Sequence, residues 1–287
     1  MNTLSRYYWN NEYSDLDWSG MKWSFIVGWN LCLLYIYSSL VSTSDPKGLC
    51  TLFDCNVLQF QWVKILMGLV LIVSSILYVR EQWMLMTTIS LTIISLVVFS
   101  AGESNGIAAR CEILTAVLIA QVAAYTKYMF TKDAKSLSQD RIRYSIQIIV
   151  ALYMLAVLSK IWASDFDWIY SNDPLAINAK VAILRFKADF GIEGLEIYAN
   201  FMYKLFSNNP NFVASFLVIS LIVEGLIFIA LFGKRWAISY GVLLIIFHST
   251  IFLTMFVFVP PFLLCVFVYL LNGPFLVTHA LKRLFNN

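Results

Sequence analysis

The chain has 287 residues, of which 60% are hydrophobic and only 13% charged, with a formal net charge of +3. Soluble domains carry about 25% charged residues, so an ordinary soluble domain is excluded. The basic residues sit between apolar runs and form no stripe, which argues against nucleic acid as a partner.

The apolar runs are about 20 residues long, the length that crosses a hydrocarbon core about 30 Å thick. They predict an all-α, polytopic membrane helix bundle whose first partner is the lipid bilayer. Residues 1–20 mix Arg6 with Glu12, Asp15, Asp17 and many aromatics. They are expected to form a cytoplasmic interfacial segment and not a cleaved signal. Residues 21–287 then form a single membrane-embedded helical domain.

Apolar runs and their breakers predict about eight spans, near 21–43, 59–80, 83–101, 110–130, 142–163, 211–232, 236–258 and 261–281. Ser-Asp-Pro-Lys-Gly at 44–48 is turn chemistry, Arg80-Glu81 a minimal polar turn, and Gly233-Lys234-Arg235 a tight basic turn. Lys127, Lys132, Lys135, Arg141 and Arg143 make the strongest basic cluster. With that cluster inside, Lys234-Arg235, Lys282-Arg283, Arg80, Arg6 and Lys22 fall on the same side, as the positive-inside rule asks. The expected setting is a bacterial plasma (inner) membrane with both termini cytoplasmic.

Cys50 and Cys55 then face outward, where a disulfide is expected to form in an oxidising compartment; unpaired thiols and redox chemistry stay open as alternatives. The outward segment 164–210 has apolar positions at helical intervals with charges between them. It predicts one or two amphipathic helices on the outer face, either roofing a site or serving as a structural cover.

Ionisable residues inside the spans are few. Lys160 lies near the outward end of the fifth span, just before Asp165, Asp167 and Trp168. A lysine in hydrocarbon costs about 2.5–3.5 kcal/mol, so it is either functional or snorkels to the interface. Tyr153 lies seven residues earlier, two turns away on the same face. A desolvated Lys160 beside it would act as a base. Glu224 is deep in the sixth span, and His248 is mid-span in the seventh, as a packing or a catalytic group. With two histidines and no ligand-spaced Cys/His cluster, no metal site is expected.

The pattern Y-x-x-A-x-x-x-K at Tyr153–Lys160, followed by Asp167-Trp168, resembles the vitamin K-dependent gamma-carboxylase superfamily, which includes the bacterial horizontally transferred transmembrane (HTTM) domains. Pro174-Leu175-Ala176, Glu224 followed by Lys234-Arg235, and the F-H-x-x-x-F-L-T-M run at 247–255 extend the likeness. By this resemblance Lys160 is the base that deprotonates a hydroquinone and His248 the helix histidine. It also implies a quinone or hydroquinone cofactor and a carboxylase-like lyase- or ligase-type activity. The small bacterial branch it resembles helps mature a secreted antimicrobial peptide, the sporulation-delaying toxin. Glu103-Ser104-Asn105-Gly106 stands where the family has a further histidine.

Three functions therefore stay open. The first is a membrane-embedded maturation enzyme or factor acting on a secreted peptide, with Lys160 as base and His248, Glu224 and Tyr153 in support. The second is a non-catalytic binding, immunity or scaffold protein holding a small partner subunit. The third is a quinone- or small-molecule-linked membrane protein.

Overall fold

The computed structural model describes residues 7–38, 40, 46–106, 111–164, 167–170, 172–256 and 259–285. Every regular element among them is helical. In chain order we label α1 (Asp15–Ser38), α2 (Gln61–Val79), α3 (Met84–Ser104), α4 (Glu112–Thr131), α5 (Ala134–Ser164), α6 (Asn172–Phe190), α7 (Leu195–Asn208), α8 (Pro210–Gly225), α9 (Lys234–Met255), α10 (Pro260–Cys265) and α11 (Gly273–Phe285).

Six of these elements are long and apolar enough to cross a membrane: α2, α3, α4, α5, α8 with its continuation to Phe232, and α9. Counting the bent pair at the C-terminal end as one span makes seven. The expectation of eight differs at both ends of the chain. Helix α1 is 24 residues long but starts six residues before the expected span and carries Asp15, Asp17, Lys22 and Asn30. The last expected span is not one rod. Helix α10 passes into a π-helical turn at Val266–Leu270, and the axis then bends by 67° before α11. Asn272 takes φ 51° at the bend and Gly273-Pro274 follows, so the α-helical ladder cannot run through.

Helix α2 shows how the bilayer shapes the bundle. Its Ile65, Leu66, Leu69, Ile72, Val73 and Ile76 are exposed, while Val63, Leu71 and Tyr78 are buried. In water such a face would be an aggregation liability; in a bilayer it is the lipid contact. The core inside is tied by a few polar links. Trp29 Nε1 donates to Ser95 Oγ at 2.7 Å, joining α1 to α3. Gln121 accepts from Tyr78 at 2.7 Å and donates to Tyr269 at 2.9 Å, so no end of its amide is stranded.

The segment after α5 forms a helical hairpin. Ala176, Ala179 and Ile183 of α6 meet Ala199, Met202 and Phe206 of α7, both sets at i, i+3, i+7, and Val213 and Leu217 of α8 complete this second core. The hairpin is fastened to the C-terminal end of α9. The Tyr198 hydroxyl donates to the Leu253 carbonyl, and Phe186 packs on Phe252 and Phe256 at 6.0 and 5.0 Å. Near the N-terminal end of α2, the sulfurs of Cys50 and Cys55 are joined, with Cα atoms 5.3 Å apart, and both residues pack beside Leu58, Val63 and Ala101.

Candidate functional site

Three helices bring together the polar residues that stand out within the apolar runs. Tyr153 and Lys160 share one face of α5 two turns apart, about 10.5 Å along the axis. Glu224 is the penultimate residue of α8, and His248 sits on α9. The Tyr153 hydroxyl and His248 Nε2 lie 2.7 Å apart, both side chains buried. Lys160 Nζ donates to Glu224 Oε2 at 2.5 Å. Lys160 keeps 29% of its side chain exposed and Glu224 only 10%. The two pairs are electrostatic neighbours: the Lys160 charge reaches the imidazole, and the Glu224 charge reaches the phenol.

Local structure explains the positions. At Gly225 the chain passes from α-helix to a 3₁₀ segment, Leu226–Phe232, so the last turn of α8 tightens directly after Glu224. Tyr240 of α9 donates to the Val223 carbonyl, which pins that turn against α9. Between Tyr153 and Lys160, buried Val157 faces Gly225 across the α5–α8 contact. Phe262 stands edge-on to Tyr153 at 5.5 Å and closes the apolar wall beside the phenol.

Chemically, the cluster offers a buried phenol–imidazole pair and, beside it, an ion pair whose lysine is partly exposed. The imidazole can accept from the phenol at Nε2 or donate to it in the other tautomer. The Lys160 ammonium and the Glu224 carboxylate form a short, charge-assisted hydrogen bond. None of the four heads is an orphaned buried atom among the described residues. Each of the four heads is paired within the cluster, so these residues show no unmet donor or acceptor for a hydroquinone. Of the remaining expected residues, Asp167 begins a 3₁₀ turn, Asp167–Tyr170, after α5. For Trp168 the backbone of that turn is described; Asp165 lies outside the described residues.

The other end of the bundle holds two charge clusters, built from the expected turns at Arg80-Glu81 and Gly233-Lys234-Arg235 together with residues of the N-terminal segment, α1 and α5. Asp17 is buried and accepts from the Ser14 amide at 2.8 Å, Ser14 Oγ at 3.0 Å, Tyr7 at 3.0 Å, Asn272 at 2.6 Å and Lys234 Nζ at 3.2 Å. Burial pushes its carboxyl upward, but the Ser14 amide, the Lys234 charge and the hydroxyls outweigh it and hold it below the ordinary range. The Lys234 ammonium also stands 3.4 Å over the Tyr7 ring. In the second cluster Glu81 receives Trp18 Nε1 at 2.7 Å, Lys22 at 2.9 Å and Arg141 at 3.3 Å. Burial raises this carboxyl, and Lys22, Arg141 and Trp18 together bring it below its usual range. Arg141, itself buried, lies 4.2 Å over the Trp18 ring. The visible signal was Asp17-Trp18 in an aromatic segment that also had to pack; its partner, 217 residues away, left none.

No model of a known family, no curated protein and no solved structure matches this chain.

Proposed function

We propose that the chain is a membrane-embedded maturation enzyme or factor that acts on a secreted peptide by proton transfer at the Tyr153–His248 and Lys160–Glu224 cluster. The carrying observation is the meeting of these two acid–base pairs, from three helices, beside a helical hairpin fastened to α9. A proton passing from Lys160 Nζ to Glu224 Oε2 leaves a neutral amine, whose lone pair can take a proton from an acidic group of the substrate. The products are the substrate anion, an ammonium and a carboxylic acid, so charge and protons balance. His248, held by Tyr153, is the second proton carrier for the return step. The resemblance to the gamma-carboxylase superfamily at Lys160 and His248 supports the same assignment.

The same proposal sets the chain in a bacterial plasma membrane with both termini and the basic turns inside, following the positive-inside rule. The Lys160 end of α5 then faces the side where a secreted peptide is found. The test is to replace Lys160 by Ala and by Arg, and His248 by Ala, and to measure the activity of a co-expressed secreted peptide at matched membrane levels. Arginine keeps the ion pair but does not deprotonate, so base chemistry requires K160R to fail like K160A. Full peptide activity in K160A and H248A would overturn the catalytic role.

One observation favours a second reading, a non-catalytic binding or scaffold protein with a small partner subunit. All four heads satisfy one another, as polar packing elements in a bundle do. In that case the alanine variants lose thermal stability in detergent and lose function only in proportion to it.

A further inference from the structure

Between the N-terminal segment, α5 and the turn before α9 lies a cavity of about 290 Å³, lined among others by Asn11, Tyr13, Arg143, Gln147, Phe232 and Lys234. A second, of about 210 Å³, adjoins it through Asn11 and Phe232 and is lined by Trp9, Arg235 and Trp236. Among the described residues, neither has a carboxylate in its lining. We propose that this paired cavity binds the phosphate head of an anionic phospholipid from the leaflet at the basic end of the bundle.

Four observations carry it. The Tyr13 side chain is only 6% exposed, and among the described residues its hydroxyl has no hydrogen-bond partner although it lines the cavity. A buried hydroxyl in that state lacks an acceptor, and a phosphate oxygen is one. The Arg143 guanidinium is exposed, forms no ion pair among the described residues, and is close enough to Tyr13 to act on it electrostatically. Arg235 is held at 5.0 Å over Trp9 and 5.3 Å over Trp236, a guanidinium fixed by two rings whose N–H groups make no hydrogen bond or ion pair among the described residues. Finally, the wall is apolar where Leu231 and Phe232 line the cavity, and Phe228, further back on the same 3₁₀ segment, is exposed beyond it. Asp17 behind the cavity does not oppose an anion, because Lys234 and four further donors already neutralise and occupy it.

The apolar wall decides between sources. A free phosphate would use the arginines and Tyr13 but gain nothing from Phe228, Leu231 and Phe232. A phospholipid uses both, as basic pockets between membrane helices do. The site is independent of the Lys160 cluster, and its failure would leave that proposal untouched.

The experiment uses the full chain purified in detergent and titrated with short-chain phosphatidylglycerol, short-chain phosphatidylcholine, or inorganic phosphate. Binding is read from tryptophan fluorescence and thermal midpoint. Phosphatidylglycerol is expected to bind roughly thirtyfold tighter than phosphatidylcholine, as two interfacial arginines supply. The double variant R143Q/R235Q is expected to lose that preference. Tyr13→Phe is the second variant: the lipid-free protein is expected to melt no lower than wild type, since an unpaired hydroxyl is removed, while phosphatidylglycerol binds several-fold more weakly. Equal binding of the two lipids, or an unchanged preference in R143Q/R235Q, would overturn the proposal. So would inorganic phosphate binding as tightly as phosphatidylglycerol, which would assign the site to a free anion.

Discussion

The Tyr153 hydroxyl and His248 Nε2, 2.7 Å apart, form a buried hydrogen bond between α5 and α9 across 95 residues of sequence. Removing one side of such a bond strands the other in an apolar wall, at about 1–3 kcal/mol, whereas replacing both by rings of similar shape removes the penalty. Tyr153→Phe alone is therefore expected to lower the melting temperature, and Y153F/H248F to recover most of the loss. A thermal-melting double-mutant cycle in detergent measures the coupling; additive losses would deny the bond an energetic role.

The Lys160–Glu224 pair should behave asymmetrically. Glu224 is nearly buried, and Lys160 keeps 29% of its side chain exposed. Losing the carboxylate leaves an ammonium that can still reach the interface; losing the ammonium strands a carboxylate with no such route. We expect Lys160→Met to cost about 2–3 kcal/mol and Glu224→Gln less, with K160M/E224Q milder than K160M alone. Urea or thermal unfolding of the four proteins gives the ranking.

Asp17 links stability to acid. Its carboxyl is held below the ordinary range in the fold, so as pH falls the unfolded chain takes up this proton first. The contribution is complete above the normal carboxylate range and erodes as pH drops through the lowered folded value. Wild-type protein should therefore begin to lose melting temperature as pH falls below about 5 and go on losing it below the ordinary carboxylate range. Asp17→Asn should start lower at neutral pH, because Lys234 then lacks its counter-charge, and should show a shallower acid slope. Parallel slopes would mean that other carboxylates carry the acid sensitivity.

Cys50 and Cys55 close a short loop that packs on Leu58 and Val63. The chain-entropy cost of so small a loop is about 2 kcal/mol, so reduction or a C50S/C55S double variant should lower stability modestly and leave the bundle folded. Alkylation before and after reduction checks the bond, which should block both thiols in the unreduced protein.

How much of this was legible follows from which interactions are local. Run length identified the six spanning elements because each must bury or expose about 20 apolar residues whatever its neighbours do. The shared face of Tyr153 and Lys160 followed from helical periodicity, and Glu224 and His248 stood out because ionisable groups are rare at that depth. Their pairing did not, since nothing in the spacing of residues 153, 160, 224 and 248 says which faces meet. Asp17–Lys234 and Glu81–Arg141 were missed for the opposite reason: at helix ends charges are common, and their burial depends on packing by Tyr7, Trp18 and Asn272. The bend at Asn272 was masked by the unbroken apolar run before it.

Sidedness is the last expectation with its own measurement. Helices α6 and α7 follow the Lys160 end of α5, while the α4–α5 turn near Lys132 lies at the other end. If the basic end is cytoplasmic, single cysteines at exposed Ile177, Val181 or Ile197 of the hairpin should react with an impermeant thiol reagent added to intact cells. Cysteines placed at 132–134 should react only after the membrane is opened. The background is a chain with Cys32, Cys111 and Cys265 replaced by Ser or Ala, and Cys50–Cys55 left oxidised. The opposite labelling pattern would turn the molecule over, place Lys160 toward the cytoplasm, and remove the secreted peptide as its substrate.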